Sequence, residues 1–209
     1  MNEHERILAE WKSRANGRGT FIFDGIFDPG RWESTEPNIL FVLKEACNDE
    51  IDVEDWDLTK DESVRSSVAF REAGYWAYCV LNNILSPESV TRALAEDALL
   101  RTATINVKKI SGIAYASNDE LKSHVDEFGD LLLRQIDAIN PTFVICGYTW
   151  WLLNKLVPKT RKVSEVVRMT DEGRVFVNFW HPSNRFPRLM NCVTLVSSLR
   201  EGGQLGNAT

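Results

Sequence analysis

The 209-residue sequence predicts a single α/β domain built as three layers, α/β/α, around a mainly parallel four-stranded sheet. Three observations carry that prediction. Four short apolar runs, Asn38–Leu43, Ala103–Val107, Thr142–Gly147 and Arg174–Phe179, have the length of strands covered on both faces. Stretches with helical spacing stand between them, as parallel crossovers require. The composition, 44% hydrophobic and 26% charged, suits a globular chain with one sizeable core.

Taken in order, Glu3–Ala15 reads as an amphipathic helix stopped by Asn16-Gly17. Thr20–Trp32 is a Gly- and aromatic-rich connection with a turn at Asp28-Pro29-Gly30. Residues 1–37 thus form an N-terminal helix and connection, 38–200 the core, and 201–209 a frayed, Gly-rich tail. After the first strand comes an acidic loop, Asn48–Glu62, then a helix over Ser67–Leu85 carrying Tyr75, Trp76, Tyr78 and Cys79. A second helix, to Leu100, is expected to start at Ser86 as cap with Pro87 in the first position. The second strand, Ala103–Val107, is interrupted by Asn106. A helix over Asn118–Ile139 ends at Asn140-Pro141, and one over Thr149–Val157 follows the third strand. A segment including Val193–Leu199 closes the chain after the fourth strand. The aromatic residues Tyr75, Trp76, Tyr78, Trp150 and Trp151 are expected to pack in the core.

The net charge of −6 excludes a protein that coats nucleic acid by bulk electrostatics, though not one with a local basic groove. Lys108-Lys109, Lys155–Lys162 and Arg185 with Arg188 are basic islands. No apolar run approaches the roughly 20 residues of a membrane span, so no membrane partner is expected. The N-terminus lacks the basic-then-apolar order of a signal peptide, which points to a cytoplasmic location. Cys47, Cys79, Cys146 and Cys192 are scattered without paired spacing, so reduced structural thiols are expected and no metal site. Oligomeric state is not legible.

Each apolar run ends in residues unlike its body. The first leads into Lys44-Glu45-Ala46-Cys47-Asn48-Asp49, the second carries Asn106 before Lys108-Lys109, the third ends in Cys146-Gly147-Tyr148-Thr149, and the fourth in His181-Pro182-Ser183. In a parallel sheet these ends gather along one edge, where open α/β folds place their sites. His181 is the histidine to explain. His4 falls in a ragged terminus and His124 on a polar helix, where a solvated ring is the default.

In order and strand context these segments resemble the uracil-DNA glycosylase superfamily, over about Asn38 to Arg188. That family has a parallel four-stranded α/β/α fold, with a G-E-A-P-G-like motif after its first strand and an H-P-S-type motif after its last. Some branches add a T-N-V-V-K-like central strand. The counterparts here are Leu43-Lys44-Glu45-Ala46-Cys47, Thr104-Ile105-Asn106-Val107-Lys108-Lys109 and His181-Pro182-Ser183. The resemblance implies hydrolysis of the N-glycosidic bond of uracil or another deaminated base, with DNA or a nucleotide-like ligand as partner. It implies that Glu45, Ala46 and Asn48 frame the base pocket, that Asn106 reads the flipped base through its amide, and that His181 donates to the departing base. Lys108, Ser183 and Arg185 would grip backbone phosphate.

The chain departs from the family pattern in ways that matter chemically. Lys44 stands where the family has glycine, and Cys47 and Asn48 where it has proline and glycine or tyrosine. Ala46 occupies the place of a water-activating aspartate used by some branches, which leaves water activation unassigned; Asp49 is the nearest substitute. The cysteine spacing does not reproduce the family's iron–sulfur set, so no cofactor is expected. Plainer readings stand beside each residue: His181 as a turn stabiliser, Asn106 bonded to neighbouring backbone, and Lys44-Glu45 as an ion pair. For the chain as a whole, the altered first motif and net acidity favour a rival class, a non-catalytic module on the same fold that binds nucleic acid, a nucleotide or a protein. A third class is an unrelated α/β hydrolase acting on a small phosphorylated or nucleoside substrate.

Overall fold

The computed structural model describes residues 1–46, 55–111 and 116–206. In chain order its elements are α1 (Glu3–Ala15), β1 (Phe21–Phe23), β2 (Gly25–Ile26), α2 (Pro29–Glu33), β3 (Ile39–Leu43), β4 (Asp55–Asp57), α3 (Glu62–Ser66), α4 (Val68–Leu81), α5 (Arg92–Leu100), β5 (Ala103–Asn106), α6 (Asn118–Ile139), β6 (Phe143–Gly147), α7 (Trp150–Leu153), β7 (Thr160–Lys162), β8 (Val167–Thr170), β9 (Val175–Phe179) and α8 (Arg188–Glu201).

The main sheet has seven strands in the order β2-β5-β3-β6-β9-β8-β7, so the expectation of four is corrected. The four anticipated strands are its centre. β5, β3, β6 and β9 are mutually parallel, while β2, β8 and β7 add antiparallel pairs at the flanks. The flanking strands have two to four residues, lengths too short to carry a measurable hydrophobic period in the sequence. A separate two-stranded parallel sheet joins β1 to β4, with Ile22 opposite Trp56.

Alternation along β3 divides the core in two. Ile39, Phe41 and Leu43 pack with α4, α5 and α8; Leu40 and Val42 point the other way, into α1, α6 and α7. Helices therefore lie on both faces. α6 follows its expected bounds, with Ser117 accepting from the Glu120 N–H and Asn140 closing it in the left-handed conformation. α1 also matches, held by a capping box between Asn2 and Glu5.

Other boundaries differ. α5 begins at Arg92 with Thr91 as cap, because Ser86–Val90 is taken up by turns and Ser86 and Pro87 start no helix. The helix expected over Thr149–Val157 is the single turn α7. The tail is tied down as far as Gly206: Gln204 N–H donates to Leu199 C=O at 2.8 Å, and Asn83 Nδ2 donates to Gly206 C=O at 2.7 Å. Cys79, Cys146 and Cys192 are buried free thiols. Among the described residues, no helix is long and apolar enough to cross a membrane.

Candidate functional site

The strand register decides what can meet. Leu43 lies beside Asn106, Val42 beside Cys146 and Gly147 beside Phe179, so the central strands end nearly level. Glu45 and His181 each follow two residues past their strand. A cavity of about 540 Å³ opens at this edge, lined by Glu45, Ala46, Asn106 and His181 together with Trp56 and Phe70. Four residues marked by three separate sequence segments thus share one concavity. Another cavity, of about 490 Å³, lies at the opposite ends of the strands around Asn38, Thr142 and Arg174, and collects none of them.

Gly147 allows the last turn to close on this edge. A Cβ there would sit 2.7 Å from Leu43 Cδ2 and 3.4 Å from Pro182 Cδ, so any side chain would push the His181 turn away from β3. Tyr148 follows in the left-handed region, φ +61°, an uncommon place for a tyrosine. It is held there by its N–H donating to Phe179 C=O at 2.8 Å, and Lys44 Nζ sits 4.5 Å from its ring centroid.

His181 has a defined protonation state. Its Nδ1 accepts the Ser183 backbone N–H at 3.2 Å and lies 2.7 Å from Ser183 Oγ. A backbone N–H can only donate, so Nδ1 carries no proton and the ring proton is on Nε2. Burial, helped by the charge of Lys44, pushes the imidazole down to about 4. His181 is therefore a neutral Nε2–H donor at neutral pH.

Asn106 is 1% exposed, and its amide is engaged from behind. Asp24 Oδ2 accepts both its backbone N–H at 2.7 Å and its Nδ2 at 3.3 Å. Glu45 accepts from Lys108 Nζ at 3.3 Å and from the Ala116 backbone N–H. Lys108 also donates to Glu120 at 2.6 Å and is itself only 6% exposed. The expectation that Lys108 grips phosphate is corrected: its ammonium is an internal counter-ion for two carboxylates.

Ser183 lies outside the cavity lining and braces His181 instead; Arg185 is exposed on the same turn. Asn48, like Cys47 and Asp49, lies outside the described residues. Two further histidine expectations are corrected. His4 is packed into the fold, 3.0 Å from Gln135 Nε2, and burial lowers its pKa against the opposing pull of Asp24. His124 is half-buried against Phe128, with ring centroids 5.3 Å apart, and burial lowers it too.

The remaining wall comes from the acidic segment. Trp56 on β4 faces the cavity with its Nε1 donating to Asp61 Oδ2 at 2.8 Å, and Ser63 donates to Asp61 Oδ1 through both N–H and Oγ. The Ser63 hydroxyl and the Trp56 indole hold the Asp61 carboxyl below its ordinary value. Sequence reasoning passed over Trp56, Phe70 and Asp61. A lone tryptophan within a run of carboxylates was the available signal; Phe70 carried none beyond helical spacing. Trp76, as expected, is core, edge-on to Phe179 at 5.2 Å.

What the arrangement offers is an aromatic-walled slot, an amide at its floor, a neutral imidazole donor and one ionised carboxylate on the rim. In comparison with known proteins, no family model matches the chain and no characterised protein matches it.

Proposed function

We propose that the cavity binds a nucleobase and that the protein hydrolyses the N-glycosidic bond of uracil or another deaminated base, on a three-layer fold of the uracil-DNA glycosylase kind. The observation that carries this reading is the meeting of Glu45, Ala46, Asn106 and His181 around one base-sized cavity. Breaking the bond leaves negative charge on a base oxygen and positive charge on the sugar. His181 Nε2–H donates to that oxygen; as a neutral donor it stabilises the anion without first losing a proton to solvent. Asn106 offers a donor and an acceptor to the base edge. Trp56 and Phe70 supply faces for stacking. Water adds to the anomeric carbon, and its proton balances the departing base. Asp61, ionised and on the rim, is the available anion for the sugar cation, since Glu45 is already paired with Lys108.

Beside the site, Phe186 on the turn and Leu189 and Met190 at the start of α8 are 47%, 44% and 41% exposed, and with Arg185 they form an apolar and basic segment suited to wedging between bases. Arg188 takes no part, being held by Glu72 at 2.6 Å and stacked 3.5 Å over Tyr75. The rival reading, a non-catalytic binding module, is favoured by one observation: the carboxylate that the first turn supplies as far as Ala46, Glu45, is committed to Lys108 and the Ala116 N–H rather than free to activate water.

The two readings separate on single- and double-stranded oligonucleotides carrying uracil, hypoxanthine or xanthine, with alkaline cleavage of abasic sites. Glycosidase activity predicts cleavage that falls about 100-fold or more in His181→Ala and in Asn106→Ala. Binding without cleavage on every substrate supports the module instead.

A further inference from the structure

We propose that Asp24, from the connection between β1 and β2, fixes the direction in which Asn106 reads its ligand. The cavity then accepts one donor–acceptor order at a base edge over the reverse, which tells a lactam edge, a C=O beside an N–H, from the reversed amidine edge. The proposal rests on the base-binding reading above. An ionised carboxylate only accepts hydrogen bonds, so the Asn106 group facing Asp24 Oδ2 is Nδ2 and not Oδ1. Turning the amide over would set two acceptors against each other in a buried place, which costs the full desolvation of both.

Asp24 cannot follow such a turn. Its side chain is fully buried, and Oδ1 is held by Lys109 Nζ at 2.5 Å and by Gln135 Nε2 at 3.0 Å. The next residue, Gly25, has φ +147°, and a Cβ there would lie 2.4 Å from the His4 ring, so the backbone behind Asp24 is fixed as well. With one amide hydrogen committed, Asn106 keeps one N–H and its carbonyl oxygen for the ligand. A free amide would match uracil or cytosine by flipping; a locked one matches a single donor–acceptor order. Asp24 is thus a positioning residue, outside the stretch of family resemblance.

The test compares wild type with Asp24→Asn and with Asp24→Asn/Lys109→Met, the latter removing the lysine charge that the first variant strands. Circular dichroism checks folding. Cleavage of uracil- and cytosine-containing oligonucleotides, and calorimetric binding of the free bases, give the preference. We expect the uracil-over-cytosine preference of wild type to fall by about tenfold or more in a folded variant, with KM for uracil substrates less affected than selectivity. A folded variant with wild-type preference overturns the proposal, as does a wild type that prefers neither base. A wild type that cleaves nothing, but binds uracil over cytosine and loses that preference in the variant, sinks the glycosidase reading and upholds the lock. Should neither variant fold, the side-chain amide resonances of Asn106 in wild type, assigned by their loss in Asn106→Ala, decide. One slowly exchanging orientation supports the lock, and two interconverting orientations overturn it.

Discussion

Lys108 and Lys109 are neighbours in sequence, both are buried, and the fold uses them in opposite ways. Lys108 turns toward the cavity wall and meets two carboxylates, Glu45 and Glu120, the second with its side chain about half exposed. Lys109 turns inward, is fully buried, meets a single carboxylate among the described residues, Asp24, and lies 5.1 Å from the Trp11 ring. For Lys108, desolvation is outweighed by the two acids and the pKa rises; for Lys109, desolvation outweighs Asp24 and the pKa falls. Two partners with one edge in water stabilise a buried ammonium, whereas a single dry partner does not fully compensate for the water lost.

Removing one lysine at a time breaks the comparison most sharply. Lys109→Ala leaves Asp24 buried and unpaired and is expected to cost about 3–5 kcal/mol in urea unfolding. Lys108→Ala is expected to cost less, about 1.5–3 kcal/mol, because Glu120 returns to water and Glu45 keeps the Ala116 N–H. The same variant should leave the salt dependence of oligonucleotide binding unchanged, whereas a phosphate contact would lower the slope by about 1.

Alkaline titration sharpens the contrast through opposite signs. A raised folded pKa stabilises below the unfolded value and is lost as pH climbs through the folded one. A lowered folded pKa imposes a penalty that is relieved as pH rises toward the unfolded value. Between about pH 9.5 and 11, Lys108→Met should therefore lose less stability than wild type, and Asp24→Asn/Lys109→Met more, read from urea midpoints. The smallest effect is expected at the other end of the cavity. Ser183→Ala removes a hydroxyl beside Nδ1 but leaves the backbone N–H that sets the tautomer, for a loss of about 1 kcal/mol or less and under tenfold in any cleavage rate.

The lysine pair also marks where reading the sequence stops. Side-by-side lysines after a strand look like a basic island, and nothing local tells that Asp24, 85 residues away, takes one of them inside. The central strands were legible because they are continuous apolar runs, and α6 because its period extends over 22 residues. Glu45, Asn106 and His181 stood out as polar residues terminating or interrupting apolar runs. Asp24 sits in an aromatic, Gly-rich connection, where an acid reads as a turn former. The edge strands β2, β7 and β8 depend on neighbours distant in sequence, and tertiary pairing overrides their weak local signal.

The small sheet of β1 and β4 has one more consequence. Ile22 pairs with Trp56, and Asp24 follows two residues later; Leu58 N–H closes on Phe23 C=O at 2.9 Å, and Ile22 N–H on Lys109 C=O at 2.8 Å. The tryptophan that walls the slot and the carboxylate behind its floor are therefore mounted on the same two-stranded bracket. Slot width and floor orientation move as one mechanical part. A substitution at Ile22, which pairs with the tryptophan and lies two residues before the carboxylate, would retune both together.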